Sequence, residues 1–233
     1  LSMSRKFKAI LKNLPKAQRE LWPQLAPLAS MGFVLHGGTA IALRLGHRDS
    51  LDFDFFTELP LDRISLVSAV PLLASAITLQ DEPNAYTALV RMPAGEVKLS
   101  FFGEIAFGRI GEPGLTDDNV AVVASLDDLM AQKLKVVMQR VEAKDYCDLA
   151  ALLRAGLSLA SGMGGAAALF GADFSAMECA KALVHFKGGD LATVPPKDKE
   201  TLLKAVRSLR YTITPGVIRS QSLSLDFPLS GSE

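Results

Sequence analysis

Apolar residues recur every three or four positions through residues 5–30, which is the spacing of a helix with one buried face. The apolar positions in this stretch are Phe7, Ile10, Leu11, Leu14, Leu21, Trp22, Leu25 and Leu28. The pattern predicts one helix, or two helices joined near Pro15 or Pro23, because proline interrupts helical hydrogen bonding. It stops at Met31 and Gly32, where a different pattern begins.

A short, mostly apolar run at residues 33–36 ends at two glycines, and helical spacing resumes at residues 39–45. This order predicts a strand, a tight turn and a helix. Residues 51–56 then alternate between apolar and acidic side chains, which is typical of a strand. Because alternate side chains of a strand point the same way, Asp52 and Asp54 are expected to share one face.

The next segments predict one helix and three strands. Residues 61–76 have helical spacing with a kink expected at Pro71. The stripe expected to face the core consists of Leu66, Val70, Leu73 and Ile77. Residues 85–92 and 96–102 are predicted to form a hairpin, because a turn containing proline and glycine joins them. Residues 120–123 are all apolar and are predicted to add an edge strand.

The period becomes helical from Ser125 onward. Ser125 is predicted to cap a helix, because an acid follows three residues later in an acidic variant of the capping box. A second helix is predicted from residue 144 to residue 153, closed by Gly156. Loops rich in glycine and alanine are then expected to separate a helix near residues 174–186 from another near residues 197–210.

These elements predict an α+β fold in which a mixed β-sheet is flanked by helices and the C-terminal half is helical. Three parts are expected: a core at 4–118, a helical region packed on that core at 119–212, and an extended tail at 213–233. The first two parts are expected to pack closely, since no polar linker divides them.

The composition indicates an ordered globular protein without a strong overall field. Of the 233 residues 49% are hydrophobic, which is enough for a sizeable core, and the formal net charge is zero. A nucleic-acid partner would therefore be held by local patches. Cys147 and Cys179 are far apart and are predicted to be free thiols of a cytoplasmic protein. No apolar stretch approaches the roughly 20 residues that span a bilayer, so no membrane association is expected.

Asp52 and Asp54 are the first candidates for chemistry. Acids at positions i and i+2 of a strand lie about 6 to 7 Å apart on one face, which suits the sharing of a divalent cation. Between apolar neighbours two such carboxylates repel each other and lose hydration, a cost that bound Mg²⁺ offsets. Taken alone, however, the pair is better explained by an edge strand with a solvated acidic face.

The turn before these acids makes the chemical interpretation stronger. Gly37, Gly38 and Thr39 end a strand and open a helix, so their backbone N–H groups and the helix dipole can face phosphate oxygens. The Thr39 hydroxyl is a candidate N-cap or phosphate donor. Glycines alone more often mark turns, but this turn is joined to the acidic pair by a single helix, and the combination is more specific.

Four segments of the chain carry a resemblance to a known family. They are HGGTAIAL at residues 36–43, GHRDSLDFDFF at 46–56, DLMAQKL at 128–134 and RVEAKDYCDL at 140–149. In this order they resemble the AbiEii/AbiGii toxin family of nucleotidyltransferase-like proteins, over about residues 30–153. The resemblance implies a polymerase-β-like nucleotidyltransferase core, a helical C-terminal half, dependence on Mg²⁺ (or Mn²⁺) and an NTP as donor.

The resemblance also implies a function and partners. Similar proteins include toxin components of abortive-infection and type IV toxin–antitoxin systems, and some add nucleotides to tRNA 3′ ends. The expected acceptor is therefore an RNA, such as tRNA, or a protein hydroxyl. A cognate antitoxin is the candidate protein partner.

Residue roles follow position by position from the resemblance. Asp52 and Asp54 match the catalytic metal ligands, and Gly37, Gly38 and Thr39 match the phosphate turn. In-line attack on an α-phosphate requires activation of the incoming hydroxyl and neutralisation of the leaving pyrophosphate, both of which a metal supplies.

Further roles fall on basic and acidic residues. Lys133 matches a basic residue of the catalytic site that binds the triphosphate, and Asp148, with Asp145 as the alternative, matches the late acid. Arg48 is expected to share the phosphate charge, and Ser50 to orient the first strand acid by a hydrogen bond. In the structural alternative, Lys133 lies on the surface, and Arg48 forms an ion pair with Asp49 or Asp52. Asp145 or Asp148 then only holds a basic side chain in place.

One position departs from the family pattern. Polymerase-β-like enzymes place a third carboxylate on a later strand, and the equivalent residue here is Ser100. Serine cannot act as the general base that removes the attacking proton. Glu96 or Glu104 on the same strand face, or Asp148 from the helical half, are candidates to replace it.

Nucleotidyl transfer to an RNA end or a protein hydroxyl is the leading hypothesis. The alternative is a catalytically weakened nucleotide-binding module that acts through a partner protein. A metal-dependent glycosyltransferase is a third hypothesis, and it is disfavoured because the phosphate-type turn precedes the acids.

Overall fold

An eight-stranded sheet forms the centre of the protein, in a computed structural model that describes residues 6–210 and 213–225. In chain order the strands are β1 (Lys6–Phe7), β2 (Val34–His36), β3 (Asp52–Phe56), β4 (Ile77–Glu82), β5 (Ala85–Met92), β6 (Gly95–Phe102), β7 (Gly114–Thr116) and β8 (Val122–Val123). Their order across the sheet is β1-β7-β8-β2-β3-β6-β5-β4. The pairs β1/β7, β2/β8 and β3/β6 are parallel and the others are antiparallel, so the sheet is mixed, as predicted.

Helices make up much of the remaining described chain. The α-helices are α1 (Lys16–Leu21), α2 (Pro27–Ser30), α3 (Gly37–Leu45), α4 (Arg63–Ala69), α5 (Leu126–Val136), α6 (Ala143–Arg154), α7 (Leu159–Phe170), α8 (Ala176–Val184) and α9 (Pro196–Arg207). Short 3₁₀-helices lie at Leu11–Asn13, Trp22–Leu25, Pro71–Ser75, Gly171–Asp173 and Leu191–Thr193. Because α5 to α9 all follow the last strand, the C-terminal part is helical, and the predicted α+β fold is confirmed.

The two central strands, β2 and β3, are joined by α3 and lie side by side. Phe53 and Phe55 of β3 are completely or almost completely buried, and Phe55 stacks on Phe101 of β6 with ring centroids 5.6 Å apart. Asp52 and Asp54 alternate with these phenylalanines and therefore emerge on the opposite face. If the pairing register of β3 shifted by one residue, the phenylalanines would be exposed. Their burial therefore determines the face on which the acids lie.

The local patterns predicted several elements correctly. β2, the glycine turn and α3 follow one another as expected, and β3 coincides with the alternating segment. The hairpin is confirmed by β5 and β6, which pair from Ala85 opposite Phe102 to Met92 opposite Gly95. Ser125 caps α5, because its hydroxyl oxygen accepts a hydrogen bond from the backbone N–H of Asp128.

The prediction of an edge strand at residues 120–123 is wrong. β8 lies inside the sheet, between β7 and β2, because β7 and β1 extend the sheet beyond it. β1 and β7 contain two and three residues, which is too short for a periodic pattern to show. The edge on the other side is β4, which was not predicted, and Ile77 lies in it, 41% exposed rather than in the helical core stripe.

Proline explains where the helix predicted at 61–76 ends. α4 stops at Ala69, and a separate 3₁₀-helix begins at Pro71, because proline has no N–H to continue the helical ladder. The N-terminal stretch is likewise divided, with α1 beginning after Pro15 and a 3₁₀-helix containing Pro23 separating it from α2.

The glycine- and alanine-rich segment that was predicted as a loop forms α7. Gly162 and Gly165 are buried in this helix, and added side chains would collide with neighbours. A Cβ at Gly162 would lie 2.9 Å from Met130 Cγ, and one at Gly165 would strike Ile110. These glycines therefore allow close packing on α5, which overrides their low helix propensity.

The described part of the predicted tail is irregular but is attached to the body. Arg109 donates its backbone N–H to the carbonyl of Ser220 at 2.9 Å, and its guanidinium donates to the carbonyl of Ser222. Leu223 is only 2% exposed. Residues 226–233 of the same predicted part lie outside the described residues.

The sheet includes residues beyond the predicted boundary at residue 118, because β8 lies at Val122–Val123. The division into 4–118, 119–212 and 213–233 otherwise stays a prediction. In the portion of the chain described, no single helix is long and apolar enough to cross a membrane. One bent pair, Ala143–Arg154 with Leu159–Asp173, passes that test by length and composition only.

Candidate active site

A cleft of about 610 Å³ opens on the face of the sheet that carries the two acids. Its lining comes from the turn between β2 and α3, the loop between α3 and β3, strands β3 and β6, and the loop after β6. The helical half adds α5, the segment between α5 and α6, the start of α6 and the end of α7. The sequence segments that suggested a nucleotide site thus contribute to one concave surface. Of the residues predicted to form the site, Gly37, Gly38, Arg48, Ser50, Asp52, Asp54 and Lys133 line this cleft.

The floor of the cleft is a two-strand ladder with three rows. β3 and β6 are parallel, and their register puts Asp52 opposite Lys98, Asp54 opposite Ser100, and Phe56 opposite Phe102. Both members of the first and third rows line the cleft, as does Asp54. The surface therefore changes from charged to aromatic along the strands.

Lys98 was not predicted as a site residue, although it lies two positions from Ser100 on the same strand face. Its Nζ lies 3.0 Å from Asp52 Oδ2, and both side chains are partly exposed. Alternation along β6 was the signal that could have identified it. The lysine partly neutralises the acidic pair.

Asp54 has a less favourable environment. Burial raises the pKa of Asp54 above its usual value, and the negative charge of Asp52 adds to this effect. Lys98, the Ser100 hydroxyl and Lys133 oppose it without cancelling it. A bound cation would relieve this cost of ionisation.

The glycine turn lies directly against the Asp54 carboxylate. Gly37 has a φ of +71°, which favours glycine, and a Cβ there would lie 2.5 Å from Asp54 Oδ2. A Cβ at Gly38 would collide with the guanidinium of Arg48. No side chain among the described residues caps α3, so the N–H groups of its first turn remain available beside this carboxylate and this cation.

Thr39 does not face the cleft, contrary to the expectation that its hydroxyl would meet a phosphate. Its side chain is buried, lies 2.8 Å from Ser50 Oγ and donates a hydrogen bond to the backbone carbonyl of Asp52. Thr39 therefore connects α3 by hydrogen bonds to the loop that contains Ser50 and to the strand that contains Asp52. Ser50 is held in turn by Gln18, which donates to its carbonyl.

Behind the cleft lies a buried ion cluster centred on Asp148. Its carboxylate accepts hydrogen bonds from Arg48 Nε at 2.6 Å and Nη2 at 2.9 Å, and lies 2.7 Å from both His47 Nε2 and Lys133 Nζ. Burial alone would raise the pKa of Asp148, but the hydrogen bonds from His47 and Arg48 and the charge of Lys133 hold it well below its usual value. Asp148 is fully buried and does not line the cleft.

Asp145 completes this cluster. Its oxygens contact Lys133 Nζ at 2.6 Å and Arg140 Nε at 2.8 Å. Burial would raise the pKa of Asp145, but the hydrogen bond from Arg140 and the charge of Lys133 lower it. Lys133 is thus held between two carboxylates at the cleft wall and is only 8% exposed.

The contacts of this cluster decide between the alternative roles that the sequence left open for Arg48, Lys133 and the two late acids. Arg48 pairs with Asp148, 100 positions away in the chain, rather than with the side chain of Asp49 or Asp52. Lys133 is not a surface lysine. Both late acids hold basic side chains, and Asp148 has no direct access to a molecule in the cleft.

The two glutamates considered as substitutes for an acid at the Ser100 position also lie outside the cleft. Glu96 pairs with Arg91 at 3.5 Å, Glu104 accepts from Asn84, and neither lines the cleft. Over the described ranges, no group of three or more His, Cys, Asp or Glu side chains could hold a metal. Two carboxylates together with substrate phosphates are nevertheless a usual way to bind Mg²⁺, so the pair on β3 fits such an ion.

Several cleft residues were missed because nothing local distinguishes them. Basic residues at the cleft wall include Lys135, Arg140 and Lys144. Four phenylalanines also line it, from β3, from β6, from the loop after β6 and from the end of α7. Phe56 and Phe102 belong to the sheet itself, whereas the basic groups and Phe170 come beside the acids only because the helical half folds over the sheet.

Comparisons with known proteins gave a family match, a relative and a similar structure. A family model described as "Nucleotidyl transferase AbiEii toxin, Type IV TA system" matches residues 26–210. An uncharacterized protein of Aquifex aeolicus (strain VF5) is 33% identical over 147 residues, which cover 62% of this chain and 69% of that protein. MenT4, a nucleotidyltransferase toxin of Mycobacterium tuberculosis H37Rv, is similar in structure with a TM-score of 0.57 over 84% of each chain. At 13% identity, this likeness concerns the fold.

Proposed function

We propose that this chain, which belongs to the AbiEii family of nucleotidyltransferase toxins of type IV toxin–antitoxin systems, moves a nucleoside monophosphate from an NTP to an RNA end or a protein hydroxyl with Mg²⁺. Family and fold make it a transferase of the nucleotidyltransferase type. The observation that carries the finer proposal is the meeting of Asp52, Asp54 and the Gly37–Gly38 turn in one cleft with basic walls.

The phosphates are proposed to lie at the start of α3. The free N–H groups of its first turn and the positive end of its dipole favour negative charge. Arg48 lies against Gly38 and is fixed by Asp148, so its guanidinium is positioned without further ordering. Lys98 of β6 and Lys133 of α5 also line the cleft and add positive charge.

Asp52 and Asp54 are proposed to hold Mg²⁺ (or Mn²⁺). When bound, the ion would activate the attacking hydroxyl and neutralise charge that develops on the triphosphate. In the transfer, the acceptor hydroxyl loses its proton to solvent, its oxygen bonds to the α-phosphorus, and the bond from that phosphorus to the bridging oxygen of the β-phosphate breaks. Pyrophosphate leaves, and the basic side chains of the cleft stabilise its charge.

Labelled NTPs test this proposal directly. Each of the four NTPs, labelled on the α-phosphate, is incubated with the protein, total RNA and Mg²⁺ or Mn²⁺, and label in RNA or protein is measured together with released pyrophosphate. We expect label in one polymer from at least one NTP, lost with EDTA and in Asp52→Asn. Failure of all four NTPs to release pyrophosphate with either metal would contradict the proposal.

A second candidate function has one observation in its favour. Ser100 occupies the strand position directly opposite Asp54, and neither Glu96 nor Glu104 reaches the cleft. A nucleotide-binding module with weak transfer activity, acting through a partner protein, would need no third carboxylate. It would bind the labelled NTPs with Mg²⁺, as measured by equilibrium dialysis, without releasing pyrophosphate.

Membership of a type IV toxin family implies a nucleotide substrate and a cognate antitoxin. RNA, including tRNA, and protein remain the proposed acceptors. The cytoplasmic location, inferred from free Cys147 and Cys179, also stays part of the proposal. Co-expression with the neighbouring gene product, and rescue of growth by it, would test the antitoxin.

A further inference from the structure

Four phenylalanines form an aromatic cluster at one end of the cleft. They are Phe56 of β3, Phe102 of β6, Phe107 of the following loop and Phe170 at the end of α7. Ring centroids are 5.2 Å apart for Phe56 and Phe102, 6.4 Å for Phe56 and Phe107, and 5.5 Å for Phe107 and Phe170. The cluster therefore joins the sheet half and the helical half of the protein.

The four rings differ from the phenylalanines of the core. Phe53, Phe55 and Phe101, on the opposite face of the same strands, are at most 1% exposed. The rings of the aromatic cluster are only half-buried, and all four border the cleft. Aromatic surface left open in a concave site, next to polar groups, is the usual composition of a ligand pocket.

The position of the cluster along the strands suggests what it binds. Phe56 follows Asp54 by two residues on the same face, which places it about 6 to 7 Å further along β3. Phe102 lies opposite Phe56, just as Ser100 lies opposite Asp54. An apolar, aromatic surface thus begins two residues beyond Asp54, one of the two acids proposed to hold Mg²⁺.

We infer that the aromatic cluster binds the nucleobase of the donor NTP. A nucleotide has its charge at the phosphate end and a flat aromatic base at the other, with a ribose between them. Groups in the cleft follow the same order along β3 and β6. The charged pair of Asp52 and Lys98 comes first, Asp54 follows, and the aromatic rings come last. Stacking of a base on aromatic side chains stabilises binding and tolerates every base, since each base has a π-face.

This inference rests on the proposed function, because it assumes that the triphosphate lies at the N-terminus of α3. The base of an RNA acceptor is the competing occupant. It is the weaker candidate, since the cluster adjoins Asp54 on the same strand pair, where the donor nucleotide is proposed to be held.

Binding measurements separate the cluster from the phosphate site. Calorimetric titrations with Mg²⁺ use α,β-methylene NTP analogues, inorganic tripolyphosphate and a short single-stranded RNA. Each probe is titrated against wild type, Phe102→Ala and Phe107→Ala, with Phe186→Ala as the control. Phe186 is also half-buried but packs on Tyr146, away from the cleft.

We expect Phe102→Ala and Phe107→Ala each to weaken binding of the NTP analogues about tenfold. Tripolyphosphate affinity should stay within about twofold of wild type, and this result also shows that each variant is folded. Phe102→Tyr, which keeps an aromatic ring, should recover most of the lost affinity. Phe186→Ala should bind every probe as wild type does.

Three results would overturn the inference. If the variants bind NTP analogues as wild type does, the cluster is only packing, and the proposed function is unaffected. If they lose RNA affinity alone, the cluster holds the acceptor. If wild-type protein binds no NTP analogue, the proposed function itself fails and the subsite fails with it.

Discussion

At the scale of single residues, Asp54 is a carboxylate that the fold makes costly to ionise. It is half-buried, lies beside Asp52 on the same strand face and touches the turn at Gly37. Only partial compensation comes from Lys98, which is paired with Asp52. Such a cost is typical of functional sites, where a ligand completes the electrostatic balance.

Replacing Asp54 by asparagine should remove function and increase stability. With Mg²⁺, turnover of NTP should fall by at least about a hundredfold, since a proposed metal ligand is lost. The pKa of Asp54 is raised by folding. The ionised form therefore destabilises the native state, and this penalty grows as pH rises through the unfolded-state pKa towards the folded-state pKa.

The measurement is chemical denaturation in EDTA at two pH values. Asp54→Asn should have a higher free energy of unfolding than wild type at pH 7, and the difference should shrink at pH 3, where both states of wild type are protonated. Wild-type turnover in the variant, or a gain in stability that is larger at pH 3, would contradict the assigned role.

Ser100 provides a second prediction at this scale. Ser100→Asp would put a third carboxylate opposite Asp54, in the register position next to the proposed metal. We expect tighter Mg²⁺ binding and faster NTP turnover, and lower stability without metal because like charges would repel. Ser100→Asn, similar in shape and uncharged, is the control. No gain in turnover would mean that a third carboxylate does not limit the reaction.

At the scale of elements, the turn between β2 and α3 determines how close a ligand can come to the backbone. Gly37 needs its positive φ. At Gly38 an added Cβ would collide only with side chains, chiefly with the Arg48 guanidinium. The turn and Arg48 thus share one small volume. The proposed phosphate site requires that both keep their positions.

Gly38→Ala should therefore weaken nucleotide binding without unfolding the protein. The added methyl group would push the Arg48 guanidinium aside, and loss of one charge-assisted hydrogen bond, about 1.5 kcal/mol, corresponds to about a tenfold weaker affinity for NTP. A double-mutant cycle with Arg48→Ala is the measurement. If the two effects simply add, Gly38→Ala does not act through Arg48.

Elements also show where sequence patterns mislead. The glycines of α7 suggested a loop, since glycine lowers helix propensity. In the structure they let α7 approach Met130 and Ile110 closely, and the packing gained outweighs the propensity lost. This information lies in the surface that α7 meets, and the local sequence does not contain it.

At the scale of the whole molecule, the ion cluster around Asp148 connects the two halves. His47 and Arg48 belong to the segment that links α3 to β3, whereas Lys133 and Asp148 belong to α5 and α6. The carboxylate that receives these bonds is completely buried. Removing one member of a buried ion pair leaves an uncompensated charge, which strongly destabilises a protein.

Asp148→Asn should lower the free energy of unfolding at pH 7 by about 3 kcal/mol. The pKa of Asp148 is lower in the folded state than in the unfolded state, so its contribution is present above the unfolded-state pKa and is lost as pH falls towards the folded-state pKa. In urea denaturation, the free energies of unfolding of wild type and variant should therefore differ less at pH 3 than at pH 7.

Asp49→Asn, a change at an exposed acid close to Arg48 in the chain, is the control and should change the free energy of unfolding by no more than about 0.5 kcal/mol. Equal stabilities of wild type and Asp148→Asn at pH 7 would contradict the role of the cluster.

The sequence by itself determined those features that depend on neighbours in the chain. Alternation placed Asp52 and Asp54 on one face of a strand, and the paired glycines placed a turn before α3, because these patterns follow from backbone geometry. The tertiary structure decided the rest. It joined Arg48 to Asp148 across 100 positions, turned Thr39 inward and brought the aromatic rings beside the acids. Such contacts depend on which surfaces pack together, and packing is a property of the whole chain.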